Sequence, residues 1–583
     1  MNEVWNLDPI YRGFDDPACA SDMQALAQLV DRYNAFAEGL ENQQPLAGLK
    51  QAIALDEEMT LLAGKLAEYA SLRQSTNTRD AEAGSQLGRI MQQLSRCAGS
   101  QAKVQQWIAE LPNLAELIQQ DDVLKAYAYL LENIRRDSAH LLGALGEEIA
   151  AKLGLSGGNA WSDLQGYLTS TVPVAYNGGT TNLSAIRNLA YDADPAVRKA
   201  AYEAEIACYD RIKDSVAFAL NSIKLETISD CQLRGFESPL ARTLERSRMK
   251  QETLDAMLGA MDEYLPKFRQ YLKAKGRALG HENGLPWYDL FAPMGSSSRR
   301  YTTEEARDLL VNLFATFDGE LADMVARAFD EAWIDFYPRD GKTGGAFCAG
   351  VECLGESRIL TNFDGQFGDI VTLAHELGHA FHNQCIRDHR PLNHDYSMPV
   401  AETASTFNEC VVMAAAIKNA RSDDERMALI ESQLQDATQI ICDIYSRFRF
   451  EKMVLDNREQ AFMHADKLCE LMTSAQEQSY GDGLDPDCRH PYMWVCKSHY
   501  YGSTYYNFPY AFGGLFARGL YAQYEKEGAA FVPKYKKLLF TTPVASVEDT
   551  ALVAGIDLTD KDFWRSALQT IADQIDLFCQ LVG

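Results

Sequence analysis

Apolar residues recur at the spacing of an α-helix through most of this chain of 583 residues. In residues 21–40 the periodic positions are Leu26, Leu29, Val30, Tyr33 and Leu40. Ser21 and Asp22 precede them and have side chains that suit a helix N-cap. The same periodicity recurs in three further segments, residues 46–73, 80–109 and 123–153. A helix with such an apolar stripe buries it against other elements, so a mainly α fold is predicted.

Strand-like segments are few and short. Residues 172–184 predict a hairpin that turns at Asn177-Gly178-Gly179, and residues 344–363 predict a second strand pair. A single core rarely grows beyond about 250–300 residues, so we expect at least two structural units. Asp194 and Pro195 have the residue types of an N-cap and a first helical position, which places a boundary near residue 190.

The composition disfavours several classes of partner. Eighty-two Asp and Glu against 55 Lys and Arg give a net charge of −27, which argues against binding to nucleic acid or an anionic membrane. The sequence contains no apolar run of membrane-spanning length, and its first residues do not resemble a signal peptide. Thirteen dispersed cysteines, an odd number, predict reduced thiols and a cytoplasmic location. No obligate protein partner is evident.

The segment TLAHELGHAFHNQ, residues 372–384, carries the pattern HExxH. On a helix, His375 and His379 lie one turn apart on one face, so both imidazoles can reach one ion. Glu376 lies about 60° around the helix from His379, which suits a general base rather than a ligand. The pattern also arises by chance, as a helix surface with unrelated histidines.

A catalytic zinc ion needs a third protein ligand and an open position for water. Glu402 is the candidate, because Pro399 suits the first turn of a second helix that could return beside the first. Glu409, seven residues later, falls on the same face and could orient a histidine. The alternative for Glu402 is an ordinary solvated helix start, where acidic residues are favoured.

Five segments together resemble the M3 family of zinc oligopeptidases, and most closely its oligoendopeptidase F branch. They are AWSDLQGYLTS (160–170), PWYDLFAP (286–293), TLAHELGHAFH (372–382), PVAETASTFNE (399–409) and SHYYGSTYYNFPYAFGG (498–514). Such an ordered series is far more specific than HExxH alone. The resemblance implies a hydrolase that cuts internal bonds of short peptides.

The resemblance also implies the site and the architecture. One zinc ion per chain would be held by His375, His379 and Glu402, with Glu376 as the base. The family fold is two helical halves flanking a deep substrate channel, with an HExxH core and a small β-hairpin or sheet beside the site. Residues 1–190 would then form an N-terminal helical domain and residues 191–583 the catalytic domain.

By the same resemblance, a late aromatic loop contributes His499, Tyr506 and Tyr510 to catalysis, with Tyr505 near the substrate. The loop departs from the usual pattern of the branch, since it is one residue longer between Tyr501 and Tyr505. Which tyrosine faces the metal is therefore open, and core packing is the alternative for any one of them.

The segment GGAFCAG, residues 344–350, resembles the family strand that pairs with the peptide backbone. Gly345, Ala346 and Phe347 are the predicted substrate-binding residues, because glycine permits close backbone approach. An ordinary hairpin rich in turns is the alternative.

Other chemistries remain as alternatives. A zinc carboxypeptidase on a related helical fold could share the HExxH core, and a peptide-binding protein could have lost catalysis. A structural zinc cluster could also draw on four residues near the aromatic loop, Cys488, His490, Cys496 and His499, although their spacing fits no common zinc finger.

Overall fold

The computed structural model describes residues 3–295 and 299–583. Helices make up 71% of it, and the strands are few and short, so the prediction of a mainly α fold is confirmed. Within these residues, no helix combines the length and the apolar character that a bilayer crossing requires. The channel between two halves stays a prediction.

The α-helices follow one another along the whole chain. In chain order they are α1 Pro17–Glu38, α2 Pro45–Thr76, α3 Ala81–Ser95, α4 Ala98–Glu110, α5 Leu114–Gln119, α6 Asp122–Ala126, α7 Ala128–Ser138, α8 Gly143–Ser156, α9 Gly158–Thr171, α10 Leu183–Asn188, α11 Pro195–Cys208, α12 Lys213–Leu233, α13 Pro239–Arg246, α14 Gln251–Ala278, α15 Thr303–Phe314, α16 Gly319–Asp330, α17 Phe367–Ile386, α18 Met398–Ala401, α19 Thr403–Lys418, α20 Asp423–Thr438, α21 Ile444–Arg458, α22 Ala465–Tyr480, α23 Met493–Cys496, α24 His499–Gly502, α25 Phe508–Glu527, α26 Val532–Thr541, α27 Val547–Leu552 and α28 Lys561–Val582. A π-helical turn, Gln439–Asp443, joins α20 to α21.

Both predicted strand pairs are present. The first is the antiparallel hairpin β1 Val174–Tyr176 and β2 Gly179–Thr181. Its turn residues Asn177 and Gly178 both have positive φ, 49° and 75°, as a two-residue type I′ turn requires. The second pair, β4 Phe347–Val351 and β5 Glu356–Leu360, belongs to a three-stranded sheet.

The third strand of that sheet is β3, Ile334–Asp335, which the sequence analysis did not predict. It runs parallel to β5, and the strand order is β3-β5-β4. Two residues are too few for an alternating pattern to stand out in the sequence. The order leaves β4 at an edge, with one side of its backbone unpaired within the sheet.

The chain forms two compact units, each assembled from three segments. Unit 1 contains residues 1–140, 299–412 and 524–555, and unit 2 contains residues 141–298, 413–523 and 556–583. A compact unit of this kind is discontinuous in sequence, whereas the predicted boundary near residue 190 divides the chain into two continuous domains. That boundary stays a prediction.

Each unit has its own hydrophobic core. In unit 1 the periodic residues of α1 pack with α2, and the apolar positions predicted for residues 21–40 are all buried. Val351 and Leu360 join β4 and β5 to the same core. In unit 2 the core gathers residues of α12, α21 and α22 around Trp494, which is fully buried.

The start of α1 differs from the prediction. Asp16 is the N-cap, accepting a hydrogen bond from the Ala18 backbone N–H, and Pro17 occupies the first turn. The predicted cap residue Asp22 lies inside the helix, where its carboxylate accepts a hydrogen bond from the Tyr11 hydroxyl at 2.6 Å and pairs with Lys65 at 2.8 Å. The prediction of Ser21/Asp22 as the cap was therefore wrong, because a Pro at the first turn outweighs a later capping residue.

Candidate metal centre

Helix α17 carries the HExxH residues in unit 1. Its start is fixed by a capping box in which Gln366 and Asp369 exchange side-chain and backbone hydrogen bonds. From that start, helical spacing brings His375 and His379 to the same face, and their rings meet edge to face with centroids 4.9 Å apart.

Three ligand atoms converge at this face. The Nε2 atoms of His375 and His379 lie 3.2 Å apart, and Glu402 Oε2 lies 3.2 Å from the first and 3.3 Å from the second. Bonds of about 2.0–2.1 Å to a tetrahedral ion place its ligand atoms about 3.3–3.4 Å apart. The triangle therefore has the dimensions of one face of a tetrahedral metal site, and the donor set suits zinc.

Glu402 occupies the junction between two helices. It is the C-cap of α18 and directly precedes α19. Its Oε2 accepts a hydrogen bond of 2.7 Å from the Ser405 hydroxyl, which fixes the carboxylate. Burial raises the pKa of Glu402, but hydrogen bonds from His375 and His379 outweigh burial and hold it well below its ordinary value. The carboxylate is thus charged and able to bind a cation.

Gly378 allows the two ligand-bearing segments to approach closely. A Cβ at this position would lie 2.5 Å from Ala404 O and 2.5 Å from Ser405 Cα, which are backbone atoms. The side chain of Asn408 also joins the helices, donating to Ala374 O at 3.1 Å. Neither residue was predicted from the sequence, although a glycine within HELGH is a signal of close helix approach.

Glu409 contacts His375 from the side away from the ligand triangle. Its Oε1 lies 2.5 Å from His375 Nδ1, so it fixes the ring orientation and leaves Nε2 directed at the triangle. Burial disfavours the charged imidazole, but hydrogen bonds to Glu402 and Glu409 outweigh this and raise the pKa of His375 to about 10. The negative charges of Glu402 and Glu409, which favour a proton on His375, also favour a metal ion bound at this site.

Glu376 stands outside the triangle and is only 6% exposed. Burial raises its pKa, and the two neighbouring histidines only partly oppose this effect. A carboxylate whose pKa is shifted toward neutrality is better matched to taking and returning a proton than an ordinary glutamate. Cys348 of β4 also lies in the electrostatic environment of Glu376.

Gly345, two residues before the edge strand β4, has φ of +77°. The Gly345 carbonyl accepts a hydrogen bond of 2.8 Å from the Asn362 side chain. Phe347 points into unit 1, where its ring lies 6.2 Å from that of Trp5. The backbone of Gly345, Ala346 and Phe347, rather than the Phe347 side chain, is therefore what this edge can offer to a ligand.

His382 is not grouped with the ligand triangle. Its Nε2 lies 2.8 Å from the Thr542 hydroxyl, and its ring stacks on Tyr396 with centroids 4.1 Å apart. Complete burial lowers its pKa to about 3, so the ring is neutral. These contacts are typical of a residue that packs α17 against its neighbours.

The aromatic loop belongs to unit 2. The His499 and Tyr506 rings stack at 5.4 Å with an interplanar angle of 15°, and Tyr510 meets both edge to face, at 6.0 and 5.7 Å. Tyr505 turns the other way: it is 4% exposed and its ring packs on Phe448 at 5.1 Å. Three predicted residues therefore form one group, while the position of Tyr505 is typical of core packing.

The alternative structural zinc cluster is not formed. His490 is fully buried and its Nε2 lies 3.1 Å from Glu205 Oε1, which gives it a partner within unit 2. Across the parts of the chain that the structure describes, the one His, Cys, Asp and Glu group compact enough to hold a metal ion is His375, His379 and Glu402.

Two family models match the chain. The family model described as Peptidase family M3 matches residues 188–569, and the model described as Oligopeptidase F matches residues 108–172. The Oligopeptidase PepF of Bacillus subtilis (strain 168) is 23% identical over 593 residues, covering 98% of this chain and 86% of that protein.

Two solved structures share the fold over nearly their full length. A structure from Chlamydophila abortus superposes with a TM-score of 0.85 at 20% identity, covering 99% of this chain and 98% of that one. The oligoendopeptidase-F of Enterococcus faecium superposes with a TM-score of 0.72 at 17% identity, covering 97% of this chain and 99% of that one.

Proposed function

The chain belongs to peptidase family M3, a family of metallopeptidases, and we propose that it is a zinc-dependent endopeptidase that hydrolyses internal bonds of short oligopeptides. The observation that carries the proposal is the triangle of His375, His379 and Glu402, with the buried Glu376 beside it. One zinc ion per chain follows from that donor set. The names of the relatives support peptides as the substrates.

Zinc held at the triangle would supply a Lewis acid that acidifies water and polarises a peptide carbonyl. Glu402 and the two histidines would hold it, and Glu409 keeps the His375 ring oriented toward the other two ligand atoms. A zinc ion held by only three protein ligands would remain accessible to water, which distinguishes a catalytic site from a structural one.

Glu376 acts as the general base. Its carboxylate accepts the proton of the attacking water and later passes that proton to the leaving amine. The raised pKa of Glu376 supports the role, because a more basic carboxylate accepts a proton from water more readily. Burial also keeps competing water away from the carboxylate.

His499, Tyr506 and Tyr510 donate hydrogen bonds to the carbonyl oxygen as negative charge develops on it. The assignment comes from the family, and the grouping of the three rings supports it. Burial, with Arg447 and Lys497, lowers the pKa of His499, so a neutral imidazole with one N–H is favoured. The packing of Tyr505 on Phe448 makes it the weakest of the predicted substrate-binding residues.

Backbone pairing along β4 is the proposed mode of substrate binding. The edge position of β4 leaves backbone groups for an extended peptide at Phe347, and the proposed contact continues along the two preceding residues, Ala346 and Gly345, although the Gly345 carbonyl already accepts from Asn362. Such pairing is indifferent to where the peptide termini lie, which favours an endopeptidase over the carboxypeptidase alternative. A cytoplasmic location stays a prediction.

The test compares a peptide of about ten residues in free form with the same peptide acetylated and amidated. We expect internal cleavage of both, read by mass spectrometry, and no cleavage of an intact folded protein. Shortening of the free form alone, one residue at a time from its C-terminus, would establish a carboxypeptidase. Binding of both peptides without any hydrolysis by the zinc-loaded protein would establish the inactive peptide-binding protein instead.

A further inference from the structure

The turn that precedes α25 is held by a buried side-chain contact in unit 2. Arg447 Nη1, on α21, donates a hydrogen bond of 3.2 Å to Oδ1 of Asn507. Arg447 also donates through Nη2 to Asp443, the last residue of the π-helical turn. Asn507 is 1% exposed and Arg447 is 9% exposed, so both side chains are removed from bulk water.

Asn507 is placed to control two of the three grouped rings. It directly follows Tyr506 in the chain, and its carbonyl accepts the Tyr510 backbone N–H at 3.2 Å. A displacement of Asn507 would therefore move both tyrosines relative to His499. A surface loop without such an anchor would leave the ring stack free to open.

The residue before Tyr506 has an unusual backbone conformation. Tyr505 has φ of +52°, in the left-handed region that is unfavourable for a residue with a large side chain. Phe448, the neighbour of Arg447 on α21, packs on the Tyr505 ring. Strained conformations persist only where surrounding contacts impose them, and they concentrate at functional sites. Two consecutive residues of α21 thus fix two residues of the turn.

We infer that Arg447 is a positioning residue, which acts through Asn507 to hold the Tyr506 ring stacked on His499. The inference rests on the proposed function, because it gives these rings a purpose in catalysis. Arg447 also acts on His499 electrostatically. Its positive charge disfavours protonation of the His499 ring, as burial and Lys497 do, whereas the negative charge of Asp443 favours protonation. The first effect keeps the two rings together, and the second favours a neutral imidazole at His499.

The experiment compares Asn507→Ala, Asn507→Asp and Asn221→Ala with the parent enzyme. Asn507→Asp retains an oxygen that can accept from Arg447. Asn221 is a matched control, because it is also 1% exposed in unit 2 and makes its bonds elsewhere, to Ala217 O and Met463 O. Crystal structures of each variant give the Tyr506–His499 ring separation, and steady-state kinetics give kcat and KM.

We expect the rings of Asn507→Ala to separate beyond about 7 Å, outside the range of aromatic pairing. The stack should be retained in both Asn507→Asp and Asn221→Ala. The control Asn221→Ala should lose only stability. In Asn507→Ala, kcat should fall by about 10–100-fold with KM within about twofold, because a small misplacement costs mainly the transition state. Asn507→Asp should recover most of the lost kcat.

An unchanged stack in Asn507→Ala would overturn the inference, whatever its activity. A separated stack with unchanged kcat would leave the positioning role intact and refute the catalytic role proposed for Tyr506, so the two failures are distinguishable. Arg447→Lys is a milder second variant, since it keeps a positive charge beside Asp443 but lacks the fork that reaches Asn507. It should also separate the rings, and a retained stack there would count against the inference.

Discussion

Replacing Gly378 by alanine tests whether the close approach of α17 to the Glu402 segment builds the metal centre. The new Cβ would lie 2.5 Å from Ala404 O and Ser405 Cα, where ordinary contact begins at 3.4 Å. The obstructing atoms belong to the backbone, so no side-chain rotation relieves the clash. The two segments must separate by about 0.9 Å, several times the tolerance of about 0.2 Å on metal–ligand distances.

The separation should act on Glu402 first, because Ser405 and Glu402 belong to the displaced segment. Losing a single supporting contact of a ligand typically weakens metal binding about 10–100-fold, and displacement of the ligand itself should cost at least about 100-fold. That factor corresponds to about 2.7 kcal/mol of binding free energy. Overpacking should also destabilise the metal-free protein by about 1–3 kcal/mol.

Zinc affinity is measured by competition with a chromophoric chelator, and folding by circular dichroism of the metal-free protein. Gly368→Ala is the matched control, because it lies on the same helix and its Cβ would meet nothing within 4 Å. That variant should bind zinc like the parent. If Gly378→Ala is folded and binds zinc within about threefold of the parent, the close approach does not set the position of Glu402 and the reasoning is refuted.

Three further outcomes are expected. Glu376→Gln should retain zinc and lose hydrolysis by at least about 10³-fold, because an amide cannot carry the proton; activity within tenfold of the parent would exclude it as the base. Removing metal with a chelator should abolish the activity of the parent and lower its melting temperature. The melting temperature of a His379→Ala variant should not fall on the same treatment, and an equal fall there would contradict the ligand assignment. Lys275→Met should destabilise unit 2 by about 3–5 kcal/mol in chemical denaturation without changing zinc content, since the buried Glu431, 2.5 Å from the Lys275 ammonium, would keep only the neutral donors Tyr271 and Gln435. An unchanged stability would show that the ion pair is dispensable.

The sequence was most informative where the local pattern and the final structure depend on the same chemistry. The apolar period of residues 21–40 marked positions that are buried, and Asn177-Gly178 marked a turn that only such residues adopt readily. It failed at the start of α1, where Asp16 and Ser21/Asp22 offer overlapping capping signals and the proline after Asp16 decides for the earlier one. It also missed β3, whose two residues pair with β5 only because the chain returns there.

The spacing of His375 and His379 determined by itself that two imidazoles share a helix face, because a helix has a fixed period. Only the tertiary structure decided the rest of the centre. Glu402 joins them because Gly378 lets two backbones meet, and Glu409 reaches His375 because α19 returns alongside α17. It also decided which tyrosines group with His499, since Tyr505 and Tyr506 are neighbours in sequence but face opposite ways. Periodicity encodes which residues share a face, whereas contacts between distant segments depend on packing that no local pattern records.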